Sequence, residues 1–145
     1  MKTTLVMFAF LTFMITTISF CPQQEDPWKV PAKYEKLVNP VVPDAASIAS
    51  GKELYHSYCT SCHGKNGIGN GKRADHLNTT PSDFTSSKFQ QQTDGALLYK
   101  IYVGHKDMPG FKKTIPGNKD VLDGTFGKTR NPGDLVNYIR TFAKR

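Results

Sequence analysis

The chain has 145 residues, room for one domain and little else, with 19 Lys and Arg against 12 Asp and Glu, a formal net charge of +7 and three cysteines. An odd cysteine count excludes a disulfide framework that uses every thiol. The basic balance suits nucleic acid, anionic lipid or an acidic protein face, or lysines that only keep a small domain soluble.

After Met1-Lys2-Thr3-Thr4 the chain is apolar or threonine-rich from Leu5 to Phe20. A basic start followed by such a stretch has the shape of an export signal, and it falls short of the ~20 apolar residues of a membrane span. Residues 1–20 are therefore expected to be a signal peptide, with an uncleaved N-terminal anchor as the alternative. Without them the chain holds 18 Lys and Arg against 12 acids, a net +6. Export argues against nucleic acid as a partner. Ile18-Ser19-Phe20-Cys21 resembles a bacterial lipoprotein signal, in which the cysteine is lipidated, although Phe20 replaces the usual small residue. Cleavage after Ser19 is the simple-export alternative. Either version places the protein in the bacterial periplasm or on the outer face of the cytoplasmic membrane.

Residues 21–46 carry Pro22, Pro27, Pro31, Pro40 and Pro43. Proline at that density prevents a continuous helix, so the stretch reads as a tether. Trp28, Tyr34 and Leu37 could still pack, so part of the arm can lie against the domain. The compact domain is expected over 47–145. Ile48, Leu54, Tyr55 and Tyr58 recur at helical spacing and predict a helix from Ser47 into Cys59. Gly64, Gly67, Gly69 and Gly71 follow as a loop. It is not a phosphate loop, because Arg73 stands where the hydroxyl residue belongs. Glycines here would let backbone run close to a flat cofactor. A second helix is predicted over Asp94–Val103, ending at Gly104. The stretch from Lys112 to Arg130 reads as a surface loop. Asn131-Pro132-Gly133-Asp134 opens a last helix with Leu135, Tyr138, Ile139 and Phe142 as its apolar stripe.

Cys59-Thr60-Ser61-Cys62-His63 carries the chemistry. Residues i and i+3 share a helical face, with i+4 beside them. Two thiols so placed can add to the two vinyl groups on one edge of haem, and His63 then lies under the porphyrin as an axial ligand of iron. Zinc wants four ligands and finds three here without a second pair. A redox dithiol wants an alternating strand–helix pattern that is absent. The sixth iron ligand decides function, and Met108, beside Pro109 and Gly110, is the expected one. A thioether favours Fe(II) and raises the potential. The competing readings are Met108 as core filler, or His105, His76 or His56 as ligand.

Taken together, positions 47–143 resemble a class I monohaem cytochrome c. The matching features are Cys59-x-x-Cys62-His63, Met108-Pro109-Gly110-Phe111 and the terminal Leu135–Arg140 segment. The resemblance implies an all-α cytochrome c-like fold with N- and C-terminal helices crossing around one covalently attached haem c. It implies that the crossing uses Gly51 and Tyr55 against Leu135 and Tyr138. It also implies a backbone carbonyl near a proline, here Pro81, that accepts the His63 ring proton. The 112–130 loop is longer than in many small members.

The function expected is one-electron transfer in a respiratory chain, not catalysis, with redox proteins docking at the haem edge. Lys65, Lys72, Arg73, Lys106, Lys112 and Lys113 are the candidates for a basic rim there. The resemblance implies a quinol-oxidising complex and a haem-copper oxidase as partners. Membrane association would run through a lipidated Cys21 or an uncleaved N-terminal segment. The rival expectations are a gas-binding or peroxide-reacting haem protein with a labile sixth ligand, and a fixed haem subunit of a larger oxidoreductase.

Overall fold

The computed structural model describes residues 28–115 and 131–143. The export segment 1–20, Cys21 and residues 116–130 of the expected surface loop lie outside them. Six helices occur among the described residues: α1 (Ala32–Glu35), α2 (Ala45–Tyr58), α3 (Thr60–His63), α4 (Ser87–Gln90), α5 (Asp94–Val103) and α6 (Asn131–Arg140), with a 3-10 turn at Ala74–His76. No strand occurs among the described residues, only one isolated antiparallel bridge between His105 and Met108. The class is all-α, as the sequence implied.

Helix α2 begins two residues earlier than its apolar spacing indicated, because Asp44 caps it, its Oδ1 accepting from the Ser47 amide at 2.7 Å. Its central contact is the crossing with α6. A Cβ on Gly51 would sit 2.8 Å from Tyr138 Cβ and overlap the Asp134 carbonyl, so the backbones meet where only hydrogen fits. One turn on, Tyr55 is fully buried, its ring 5.3 Å from that of Tyr138 and 5.2 Å from that of Phe142. Helix α6 buries Leu135, Val136 and Ile139 against this seam. Each such side chain contributes about 1.5–3 kcal/mol when removed from water. Helix α5 runs over the range expected, capped by Thr93 Oγ1 on the Ala96 amide at 3.1 Å, and adds Leu97, Leu98, Ile101 and Tyr102 to the core.

Arg140 ties the end of α6 to the neighbouring elements. Its guanidinium donates to Asp94 Oδ1 at 2.9 and 2.7 Å, to the Gln90 carbonyl at 2.8 Å and to the Gln92 carbonyl at 2.6 Å. A planar fork with several fixed donors can satisfy two carbonyls and a carboxylate together.

The proline-rich stretch departs from the tether expectation. From Trp28 to Asp44 it lies against the helices. Tyr34, on the single turn of α1, is buried and stacks 4.5 Å from Tyr99. Gly95 of α5 accommodates its backbone, since a Cβ there would overlap the Tyr34 carbonyl. Asn39 donates to the Gly133 carbonyl at 2.9 Å and to Asn137 Oδ1 at 2.8 Å. Asn137 in turn donates to the Val41 carbonyl at 3.0 Å and to Ser47 Oγ at 2.9 Å. Prolines rule out a long helix here but not docking, because side-chain amides satisfy the backbone that helix formation would otherwise have used. The packed domain among the described residues thus starts at Trp28 rather than at 47.

Two outcomes test this account. Gly51→Ala should destabilise the protein by about 1–3 kcal/mol through overpacking at the crossing, read as a lower urea midpoint with an unchanged slope. Asn137→Leu should free the arm, and limited proteolysis should then cut between Lys36 and Pro43 much faster than in the wild type, while the α2–α6 contact persists.

Candidate haem site

Helix α2 runs out at Tyr58, and Cys59 turns the chain into the single turn of α3. The amides of Cys62 and His63 both bond to the Cys59 carbonyl, at 3.2 and 2.9 Å. Cys59, Cys62 and His63 therefore share one turn, as the spacing predicted. Gly64 ends it at φ 77°, a left-handed conformation that a side chain would resist, and its carbonyl accepts from the buried Tyr55 hydroxyl at 2.7 Å. The tyrosine of the helix crossing thus also pins the end of the cysteine turn.

The glycine loop does something other than expected. Its amides return to the carbonyls of α3: Gly69 to His63 at 2.9 Å, Gly71 to Cys62 at 3.0 Å and Arg73 to Ser61 at 2.9 Å. A Cβ on Gly71 would clash with the Ser61 and Cys62 backbone. The close approach that Gly71 permits is to the cysteine turn itself, whereas a Cβ on Gly69 would meet the Pro81 carbonyl and one on Gly67 the Phe142 ring. The loop is a collar that satisfies the carbonyls left open at the end of a short helix.

One cavity of about 530 Å³ gathers the residues singled out by the sequence. Cys59, Cys62 and His63 line it from α3, Met108 lines it from the loop after α5, and Pro81 and Ser82 line it from the intervening segment. Tyr58, Phe84, Ile101 and Phe111 make much of the lining apolar. The volume lies within the ~300–1,000 Å³ of ordinary cofactor pockets. His56 and His76 are exposed and line no part of it, whereas His105 does. Of the six candidate rim cations, Arg73 and Lys106 border the cavity.

Burial sets the electrostatics of the cysteine turn. Cys59 is 8% exposed, and burial followed by the neighbouring Cys62 pushes its thiol up to about 12. The two cysteines are unpaired. Among the described residues no three His, Cys, Asp or Glu side chains converge to hold a metal ion by themselves. Burial also lowers the pKa of His63, partly offset by its contact with the Ser82 carbonyl, so the ring is held neutral with a lone pair for a ligand. His63 stacks on Phe84 with ring centroids 4.3 Å apart. Its Nδ1 lies 3.4 Å from the Ser82 carbonyl, long for a hydrogen bond. The carbonyl nearest the ring is thus that of the residue after Pro81.

An element that the sequence did not reveal holds the Met108 loop in place. Asp107 accepts from the Thr79 amide at 2.8 Å, from Thr79 Oγ1 at 2.6 Å and from Asn78 Nδ2 at 3.3 Å. These bonds draw its pKa below the usual carboxylate range, the Thr79 hydroxyl contributing most. They join the two chain segments that border the cavity. Nothing local in Asp107-Met108-Pro109 signals a partner 28 residues upstream.

A helical domain whose crossing helices present Cys-x-x-Cys-His to an apolar cavity is a c-type cytochrome domain. The chain belongs to the family described as cytochrome c oxidase, cbb3-type, subunit III, which matches residues 46–121. Such a domain carries haem c, covalently attached, and transfers electrons through it. A curated relative, the quinohemoprotein alcohol dehydrogenase ADH IIB of Pseudomonas putida, is 36% identical over 69 residues, 48% of this chain. The match covers only 10% of that protein. Among solved structures, a chain of the reducing HAO-like protein complex Kustc0457/Kustc0458 of Kuenenia stuttgartiensis superposes with a TM-score of 0.59 at 23% identity, over 72% of this chain and 47% of that one. The KustC0563 c-type cytochrome gives a TM-score of 0.48 at 24% identity, over 65% of this chain and 98% of that one. No helix among the described residues is long and apolar enough to cross a membrane.

Asp107→Ala should loosen the Thr79 segment without unfolding the domain. Amide exchange at Thr79, followed by NMR, is expected to quicken several-fold, with exchange at Leu98 and Leu135 unchanged.

Proposed function

We propose that this protein is a one-electron carrier in a respiratory chain. Cys59 and Cys62 hold the haem as thioethers, His63 binds the iron on one face and Met108 on the other. What carries the reading is the shared cavity: one helical turn supplies both thiols and a neutral imidazole, and a separate loop brings a thioether to the same space. With both axial positions filled by protein, no substrate binds the metal, and the chain is a carrier rather than an enzyme.

Haem c supplies the redox centre, with iron cycling between Fe(II) and Fe(III). The chain does the rest. Buried Tyr55 fixes the end of the cysteine turn through Gly64. The Ser82 carbonyl and Phe84 orient the His63 ring. The apolar lining keeps water from the iron, which together with a thioether ligand raises the potential. Arg73 and Lys106 at the cavity border would steer an acidic partner face toward the haem edge through brief, wet contacts. Export to the periplasm or the outer membrane face, anchoring through Cys21 or the N-terminal segment, and a quinol-oxidising complex and haem-copper oxidase as partners complete the proposal.

A second reading is a fixed haem subunit of a larger oxidoreductase. It is favoured by a family described as an oxidase subunit and by a relative in which the matching stretch is a small part of a longer chain. Copurification after mild detergent extraction separates a stable complex from a free carrier.

The test of the ligand set is the ferric spectrum of the holoprotein beside Met108→Ala. The far-red charge-transfer band of iron–sulfur ligation should be present in the wild type and lost in the variant, with haem still attached. A band unchanged in the variant would remove Met108 from the iron.

A further inference from the structure

The proline-rich arm reaches the haem site at one residue. Trp28 lines the cavity of about 530 Å³, and also a smaller one of about 100 Å³ that shares His63, Phe84, Ile101 and Met108 with it. It stands upstream of residues 46–121, so the family match assigns it no role. Docking of the arm does not account for it either. Tyr34 against Tyr99, and Asn39 against Gly133 and Asn137, already hold the arm to α5 and α6 further along the chain.

Three elements meet at the indole. Its ring stacks on His105 with centroids 5.0 Å apart and an interplanar angle of 25°. His105 belongs to a tight hairpin in which it and Met108 each donate an amide to the other's carbonyl at 2.9 Å. From α5, Lys100 Nζ lies 5.4 Å from the centre of the indole and donates to Gln92 Oε1 at 2.7 Å. Lys100 lines the smaller cavity, and both it and Trp28 are half-buried. An aromatic side chain covers roughly 150–250 Å² where it packs. At this position the indole closes the stretch of wall between α5 and the hairpin.

We propose that Trp28 is the arm's contribution to the haem crevice, an apolar wall that keeps water from the haem and holds its midpoint potential up. Ferric haem carries one positive charge more than ferrous haem, so a wall of low polarity favours the ferrous form. A cation held partly out of water near the haem acts in the same direction, and Lys100 lies against the indole. Without the ring, water would reach this wall and screen the ammonium, and both changes stabilise Fe(III). The effect does not depend on which residue is the sixth ligand, because it acts through the medium around the iron and not through a bond to it. Two parts of the chain would then build the redox centre: a helical domain that holds the haem, and an arm that completes the crevice around it.

The test uses holoprotein matured with its haem in an exporting host, as wild type, Trp28→Phe and Trp28→Ala. In a redox titration Trp28→Ala should be about tenfold more ferric than the wild type at a fixed ambient potential, a fall of about 59 mV for a one-electron couple. Trp28→Phe keeps an apolar ring and should stay close to the wild type. The ferric and ferrous haem spectra should be the same in all three proteins, since no ligand changes. An unchanged titration in Trp28→Ala would overturn the wall role. An equal fall in Trp28→Phe would do so too, by assigning the effect to the indole N–H, and so would a fall with an altered spectrum, which places it on an iron ligand. Trp28 is the one tryptophan of the chain, so the wild type alone gives a second measurement should Trp28→Ala fail to mature. Haem quenches a nearby indole by energy transfer, and emission should be weak in the native protein and rise several-fold in urea with haem still attached. Native emission as strong as that in urea would put Trp28 away from the haem and overturn the proposal.

Discussion

The contact on which the rest depends is the crossing of α2 and α6 at Gly51. There the two backbones approach so closely that a Cβ would overlap the Asp134 carbonyl. One turn later Tyr55 fills the seam and reaches the Gly64 carbonyl. The same helix therefore does two things in sequence. Its first half locks the N-terminal part of the domain to the C-terminal part, and its second half delivers Cys59, Cys62 and His63 to the cavity in a fixed orientation. A short chain has little other means of holding them, since α3 on its own is a single turn, too short to be stable.

What surrounds that turn is arranged to satisfy backbone rather than to add core. The glycine collar returns three amides to the α3 carbonyls. Asp107 gathers three donors from the segment on the far side of the Met108 loop. Arg140 satisfies two carbonyls and a carboxylate at the other end. Each device closes a loop that carries no regular secondary structure, and each is polar. The apolar contribution comes from α2, α5 and α6, and the loops that shape the cavity are pinned to those helices by hydrogen bonds. Such an arrangement leaves the cavity lining free to be apolar.

The parts of this molecule legible in the sequence are those whose signal is local. Capping at Thr93 and the glycine after Val103 bound α5 where the pattern placed it, and the i, i+3, i+4 spacing put Cys59, Cys62 and His63 on one turn. The short helices α1 and α4 gave no periodic signal because four residues cannot show one. The docking of the arm was illegible for a different reason. Its partners are remote, Asn39 meeting Asn137 across 98 residues, and proline density says only what the backbone avoids. The Asp107 pairing is likewise a product of the folded arrangement. The sequence left His105 as one of three histidines competing for the iron, and only the folded cavity, which His56 and His76 do not line, sets it apart.

The docked arm also changes what a membrane anchor at Cys21 would do. A free arm from 21 to 46 could span about 90 Å when extended, at roughly 3.5 Å per residue, and would let the domain swing widely between distant partners. With Trp28 stacked on His105 at the cavity wall, seven peptide units separate that contact from Cys21, a reach of about 25 Å at most. The haem crevice, and not merely the domain, would then stay close to the bilayer. A partner would have to present its own redox centre near the membrane surface, as an integral respiratory complex does and a freely diffusing protein need not. The tether length that matters for electron delivery is set by where the arm packs, and the Trp28 contact lies at a wall of the site itself.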